Sequence, residues 1–168
     1  MFRALRMLAV AGSLVVVSSA VQALIVQPPP STSGGGSNPD CSGAAASLGV
    51  IWPPNHTMIA VNVVGVVDPN GLPITIMVTG IQQDEAVNAL GSGNTAPDAG
   101  GVGTPTALVR AERAGPGTGR LYFIDYTATN TQGGQCTGTV MPYVPHDQGQ
   151  GFTPVDTGLR FDSTVVPN

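Results

Sequence analysis

From residue 57 onward the chain trades apolar and polar positions every second residue. Residues 57–67 place Ile59, Val61 and Val63 on one face and Met58, Ala60 and Asn62 on the other, the period of a half-buried strand. A turn is expected at Asp68-Pro69-Asn70-Gly71-Leu72-Pro73, because proline presets one dihedral and Asn-Gly tolerates positive φ. Ile74, Ile76 and Val78 then form the inward face of the next strand. Residues 107–113 turn Val109 and Ala111 inward. After a glycine-rich turn, Tyr122, Ile124, Tyr126 and Ala128 alternate with Phe123, Asp125 and Thr127. The last clear strand covers 136–144, where Pro142 cannot donate a ladder hydrogen bond and predicts a sheet edge. A weaker strand is expected over 42–51, and the glycine-rich crossing from 86 to 105 has room for one more. No segment carries a competing helical period. The reading is all-β, with about six to seven strands at the spacing of a sandwich.

The ends of the chain change character. Arg3 and Arg6 precede an apolar run from residue 7 to 17 and then small residues up to Ala23, the layout of a secretory signal peptide. The run falls short of the roughly 20 apolar residues needed to span a bilayer, and no cysteine follows to accept a lipid. Residues 24–40, with three consecutive prolines and a Ser-Gly-rich stretch, read as a linker. Residues 41–147 hold the strand pattern, and 148–168 read as a sparse C-terminal tail. The expected location is therefore extracellular, secreted or at the cell surface, with the periplasm as the variant, and with no membrane span in the mature form.

Charge narrows the partners. All six Lys+Arg residues are arginines, and removal of residues 1–23 leaves Arg110, Arg113, Arg120 and Arg160 against ten acidic residues. Without a basic patch the chain lacks the phosphate-neutralising charge on which nucleic-acid binding depends, so an extracellular protein or a surface glycan is the expected partner. The two cysteines, Cys41 and Cys136, in a chain bound for an oxidising compartment are expected to pair. Closing so long a loop is worth roughly 4 to 5 kcal/mol in the chain-entropy model.

Several short stretches carry more than composition. They are Val50-Ile51-Trp52-Pro53-Pro54-Asn55-His56, Gln83-Asp84-Glu85-Ala86-Val87-Asn88, Asn94-Thr95-Ala96-Pro97-Asp98, Val109-Arg110-Ala111-Glu112-Arg113 with Gly119-Arg120-Leu121-Tyr122, and Val144-Pro145-His146-Asp147. In this order and spacing, over about residues 41–148, they resemble a family of immunoglobulin-like modules related to hyalin-repeat and PKD-like domains, found in secreted and surface-anchored bacterial proteins. The resemblance implies an immunoglobulin-like β-sandwich used as a spacer, adhesion or binding module. Family members often carry an acidic Gly-Asp-Gly-Asp-Thr loop where this chain has Gly91-Ser92-Gly93-Asn94-Thr95, so two carboxylates that could hold calcium are missing.

Strands alternating in direction would bring Cys41 and Cys136 to one pole and gather Trp52, Asn55, His56, Glu112, Arg113, Arg120, His146 and Asp147 at the other. This set is expected to form either a ligand pole or a structural one, with Arg113 or Arg120 paired to Glu112 or Asp147 and His146 bonded to a loop carbonyl. A metal reading would draw on His56, Asp84, Glu85, Asp98, His146 and Asp147, calcium if oxygens dominate and zinc if the imidazoles do. The Trp52 ring could instead offer a platform for a sugar. Catalysis is not expected: no Gly-x-Ser-x-Gly elbow stands beside either histidine, and nothing marks a cleft for paired carboxylates.

Overall fold

A computed structural model of the protein describes residues 37–88, 90–149 and 154–167. The expected signal peptide and most of the expected linker lie outside the described residues. The rest is built from β1 (Ala45–Ala46), β2 (Met58–Val64), β3 (Ile74–Gln83), β4 (Ala99–Gly100), β5 (Thr106–Arg110), β6 (Gly119–Asn130), β7 (Gln135–Val140), β8 (Tyr143–Pro145) and β9 (Phe161–Asp162). They form two antiparallel sheets, ordered β1-β2-β5-β4 and β7-β6-β3-β9, with β8 also paired to β6. One apolar core draws on both sheets. Val61, Ala107 and Val109 come from the first and Val78, Ile81, Tyr122, Ile124, Tyr126 and Val140 from the second. The fold is all-β, as the alternating pattern requires.

The period-two faces hold in β2, β5 and the second half of β6, whereas from Gly119 to Ile124 both faces of β6 are buried, Leu121 and Phe123 included. Val61, Ala107, Val109, Tyr122, Ile124, Tyr126 and Ala128 are all buried. In β3 the phase changes, because the pairing with β6 shifts register between Val78 and Gly80. One extra residue there moves the inward series from Ile74, Ile76 and Val78 to Ile81 and Gln83. That shift delivers a polar side chain, Gln83, to the buried end of the sheet.

Pro142 divides the expected last strand in two. β7 lies at the edge of its sheet, and the proline interrupts pairing to β6 only locally, since its own carbonyl accepts from Tyr122 N at 3.0 Å. Pairing resumes in β8, where Leu121 faces Tyr143 and Gly119 faces Pro145. The crossing from 86 to 105 yields only the two-residue β4, and the weak strand expected over 42–51 shortens to β1.

Both ends of the domain are fixed more firmly than their composition suggests. Asp40, in the expected linker, exchanges backbone bonds with Val67 at 2.7 and 3.1 Å. The expected C-terminal tail instead supplies β9, which pairs with the end of β3. Immediately after it, the Ser163 carbonyl accepts from Asp98 N at 2.9 Å and Ala99 N at 2.8 Å, while Ser163 N donates to the Ile81 carbonyl at 3.0 Å. One short segment thus ties an edge of each sheet to the other. Cys41 and Cys136 form a disulfide with Cα atoms 6.0 Å apart. Among the described residues no helix is long and apolar enough to cross a membrane.

Candidate functional site

At the pole opposite the disulfide, the sequence pattern drives charge into the interior. The inward alternation of β6 runs Ala128, Tyr126, Ile124, Tyr122 and then, two residues earlier, Arg120. The Arg120 side chain is accordingly 0% exposed. Burying a guanidinium is costly unless its donors are matched, and three loops supply carboxylates. Arg120 Nε donates to Glu85 Oε2 at 3.0 Å, and Nη1 donates to Asp98 Oδ2 at 2.9 Å. Nη2 stands 3.5 Å from Glu112 Oε1. Its charge also lies over the Tyr122 ring, 5.9 Å from the centroid, and the Tyr122 hydroxyl donates to the Arg110 carbonyl at 2.8 Å.

Arg110, at the end of β5, forms a second tier. Its Nη1 and Nη2 donate to the His56 and Pro97 carbonyls at 2.9 and 2.7 Å, and its Nε lies 3.5 Å from Asp98 Oδ1. Gln83, brought inward by the β3 register shift, donates from Nε2 to Asp98 Oδ2 at 2.8 Å. Glu112 is also 0% exposed; its Oε2 accepts from Thr95 Oγ1 and sits 2.9 Å from His56 Nδ1. His56 takes a left-handed backbone, φ 63, and its ring lies on Gly93, where a Cβ would come within 2.6 Å of Cε1. Only glycine fits that position, whose own φ is 91.

The electrostatics follow from this geometry. Burial works against the Arg120 charge, but the surrounding Tyr122, Asp98 and Glu85 oxygens outweigh it and hold its pKa above the ordinary arginine value. Burial raises the Asp98 pKa, and the neighbouring Arg120 and Gln83 only partly offset it. Burial likewise pushes up the Tyr122 phenol. The cluster is therefore a dense set of mutually compensating charges in a low-dielectric setting.

The residues singled out from sequence separate into two groups. His56, Glu85, Asp98, Glu112 and Arg120 converge in the buried network. His146 and Asp147 form an outer pair: His146 Nε2 is 3.1 Å from the Gly115 carbonyl and Nδ1 is 3.3 Å from Asp147 Oδ2. Asp147 Oδ1 also accepts from Gly149 N at 2.6 Å, and this bond, with His146, lowers its pKa. Arg113 joins neither carboxylate directly; its Nη1 donates to the Ala114 carbonyl at 3.4 Å. Asn55 Oδ1 accepts from the Thr57 amide and hydroxyl at 3.2 and 2.7 Å, closing its own turn. Trp52 is 39% exposed.

The six residues of the metal reading do not assemble: among the described residues no group of three or more His, Cys, Asp or Glu side chains could hold a metal ion. The arginines explain this, since Arg110 and Arg120 occupy the space between the carboxylates that a cation would need. Gln83, Thr95, Arg110 and Tyr122 belong to the network and lie in the stretches that carry the family resemblance, but were not among the expected site residues. Gln83 depended on the β3 register shift, whereas continuing the β6 alternation would have placed Arg120 and Tyr122 side by side. No family model, no curated protein and no solved structure matches the chain.

Proposed function

We propose that the protein is a non-catalytic extracellular module of immunoglobulin-like type, serving as a structural, adhesion or protein-interaction domain. The observation that carries this reading is the inward closure of the charged pole. Arg120, Asp98 and Glu112 are all 0% exposed and face one another, which suits a device that fixes loops in place better than one that works on an outside substrate. The strand orders support the immunoglobulin-like assignment. β1-β2-β5-β4 and β7-β6-β3 correspond to the ABED and GFC sheets of a constant-type domain. The Tyr122 bond back to Arg110 also resembles the tyrosine tie at the E–F corner of such domains. The disulfide departs from that pattern: it joins the segment before β1 to β7 instead of linking the B and F strands. A disulfide-closed domain fits the oxidising location expected from the leader-like N-terminus.

The test is native-state hydrogen exchange on the disulfide-bonded protein. In a structural lock, the amides of Ala111 and Leu121 exchange only through global unfolding, whereas sites that open for substrate belong to the low-stability end of a structure. Exchange of those amides through a local opening, several kcal/mol below the global value, would overturn the structural role. The exposure of Trp52 favours a second reading, contact with a surface glycan. There Trp52→Ala abolishes glycan binding while leaving the unfolding midpoint in place.

A further inference from the structure

Beside the charged network a groove of about 370 Å³ opens between the end of β3, the turn after Glu112 and the C-terminal segment that carries β9. Its size falls in the range of small-ligand pockets, about 300 to 1,000 Å³. Leu90, Pro116, Leu159 and Phe161 give the groove apolar lining, and Asp84 and Glu85 give it acidic lining. Leu90 is 91% and Leu159 54% exposed, so the apolar lining is surface left facing water.

The acidic lining is electrically incomplete. Asp84 is 2% exposed, and although its Oδ1 accepts from Leu121 N at 2.8 Å, its Oδ2 is buried and has no hydrogen-bond partner among the described residues. Glu85 Oε1 is in the same condition, its other oxygen being held by Arg120 and by the Ala114 amide. Neighbouring charge does not remedy this. Arg160, the cation that acts on Asp84, is bound through two nitrogens to Asp156 at 2.8 Å each and lies 3.5 Å over the Phe123 ring. Glu85 and Asp156 both repel the Asp84 charge. A buried carboxylate oxygen without a partner is costly; both oxygens are covered, so a guest in the groove that Asp84 and Glu85 help to line engages them by displacing what covers them.

We propose that this groove binds a primary alkylammonium group, its cation directed to Asp84 and Glu85 and its apolar stem lying along Leu90, Leu159 and Phe161. A compact ammonium with three rotatable donors suits two separate single oxygens, whereas a guanidinium needs acceptors arranged for its planar fork. The chain contains no lysine and carries a formal net charge of −4. The ammonium therefore comes from another molecule, which the acidic field would attract: a lysine side chain of a partner protein or a free amine. This assignment deepens the module reading by naming what the domain recognises, and rests on it for its biological setting; the pole's structural role is read separately by hydrogen exchange.

The test is amide NMR titration of the disulfide-bonded protein with Nα-acetyl-lysine N-methylamide and with n-pentylamine, using the Nε-acetylated lysine compound as the uncharged control. Saturable shifts are expected at Asp84, Leu90, Leu159 and Phe161. Binding should weaken about tenfold in Asp84→Asn, the scale of one charge-assisted hydrogen bond. That variant keeps the oxygen that accepts from Leu121. Leu159→Ser, at an exposed position, should weaken binding several-fold and is a second check independent of folding at Asp84. Response to both amines, or to the lysine compound alone, supports a protein side chain as guest; response to n-pentylamine alone supports a small free amine. No saturable shift from either, equal binding of the acetylated control, or full binding by both variants overturns the proposal.

Discussion

Replacing Arg120 by methionine keeps most of the side-chain volume and removes the charge that three carboxylates surround. The variant loses the 3.0 Å bond to Glu85, the 2.9 Å bond to Asp98 and the 3.5 Å contact with Glu112, leaving Arg110, among the described residues, as the guanidinium within 4.0 Å of Asp98 and Glu112. Removing one partner from a buried ion pair costs about 3 to 5 kcal/mol, because the charge left behind is uncompensated. Against a typical domain stability of about 5 to 15 kcal/mol, this is a large share. With a urea m-value of about 2 kcal/mol/M the midpoint should fall by about 2 M. Acidity separates this mechanism from lost packing. Arg120 holds the Asp98 pKa down against burial, so without it the folded-state pKa of Asp98 rises further and the folded variant binds a proton that the unfolded chain does not. Stability then increases as pH falls, and the deficit relative to the parent should shrink between pH 7 and pH 5. Adding Asp98→Asn should recover part of the loss, a coupling that a double-mutant cycle reads directly. A deficit below about 1 kcal/mol, or one that stays constant across that pH range, would refute the account of Arg120 as a charge held in place by its carboxylates.

Removing the disulfide in Cys41→Ala/Cys136→Ala, which opens a loop of sequence separation 95, should lower stability by about 4 to 5 kcal/mol; chemical denaturation measures it, and a loss under about 1 kcal/mol would contradict the chain-entropy account. Deleting residues 154–168 should remove the three backbone bonds made by Ser163, costing about 3 kcal/mol at roughly 1 kcal/mol each, and speed amide exchange at Asp98 and Ala99; unchanged exchange there would show that β9 contributes nothing to the edge. Asp84→Asn should be more stable than the parent at neutral pH. Burial raises the Asp84 pKa above 3.8, so the parent loses stability as pH rises through the folded-state value. The advantage of asparagine should close on acidification, and a variant equally or less stable at pH 7 would sink that inference.

The strands were legible because each buries one face, and period-two alternation reports that burial directly. β2, β5 and β6 keep a single phase from end to end, so Val61, Val109 and Ile124 could be placed inward without coordinates. β3 could not be read to its end, since the register shift after Val78 changes the phase without leaving a composition signal beyond Gly80 itself. Pro142 correctly marked an edge strand, but alternation alone does not show that β6 is long enough to continue pairing past the break. β9 was invisible for a different reason. A strand of two residues, Phe161 and Asp162, is too short to show an alternation, and its pairing depends on an open edge of β3 and on the Ser163 carbonyl meeting two amides from the first sheet.

The site was legible as a gathering, with a ligand pole and a structural pole both left open. Alternating strand direction brings His56, Glu112 and Arg120 to one pole, but whether such a pole is open or closed depends on which charges share the inward phase of a strand. Arg120 does, as the residue two positions before Tyr122 in an unbroken inward series. A guanidinium held at that depth requires carboxylates from every loop that reaches it, and those carboxylates cannot then serve a metal. His146 and Asp147 follow β8 rather than precede a strand whose phase would bury them, and so remain outside the network. Asp84 and Glu85 leave a remainder: each gives one oxygen to the pole, to Leu121 N or to Arg120, and each keeps one without a hydrogen-bond partner among the described residues. A carboxylate oxygen that burdens the folded state without serving the lock has the character expected of a binding group.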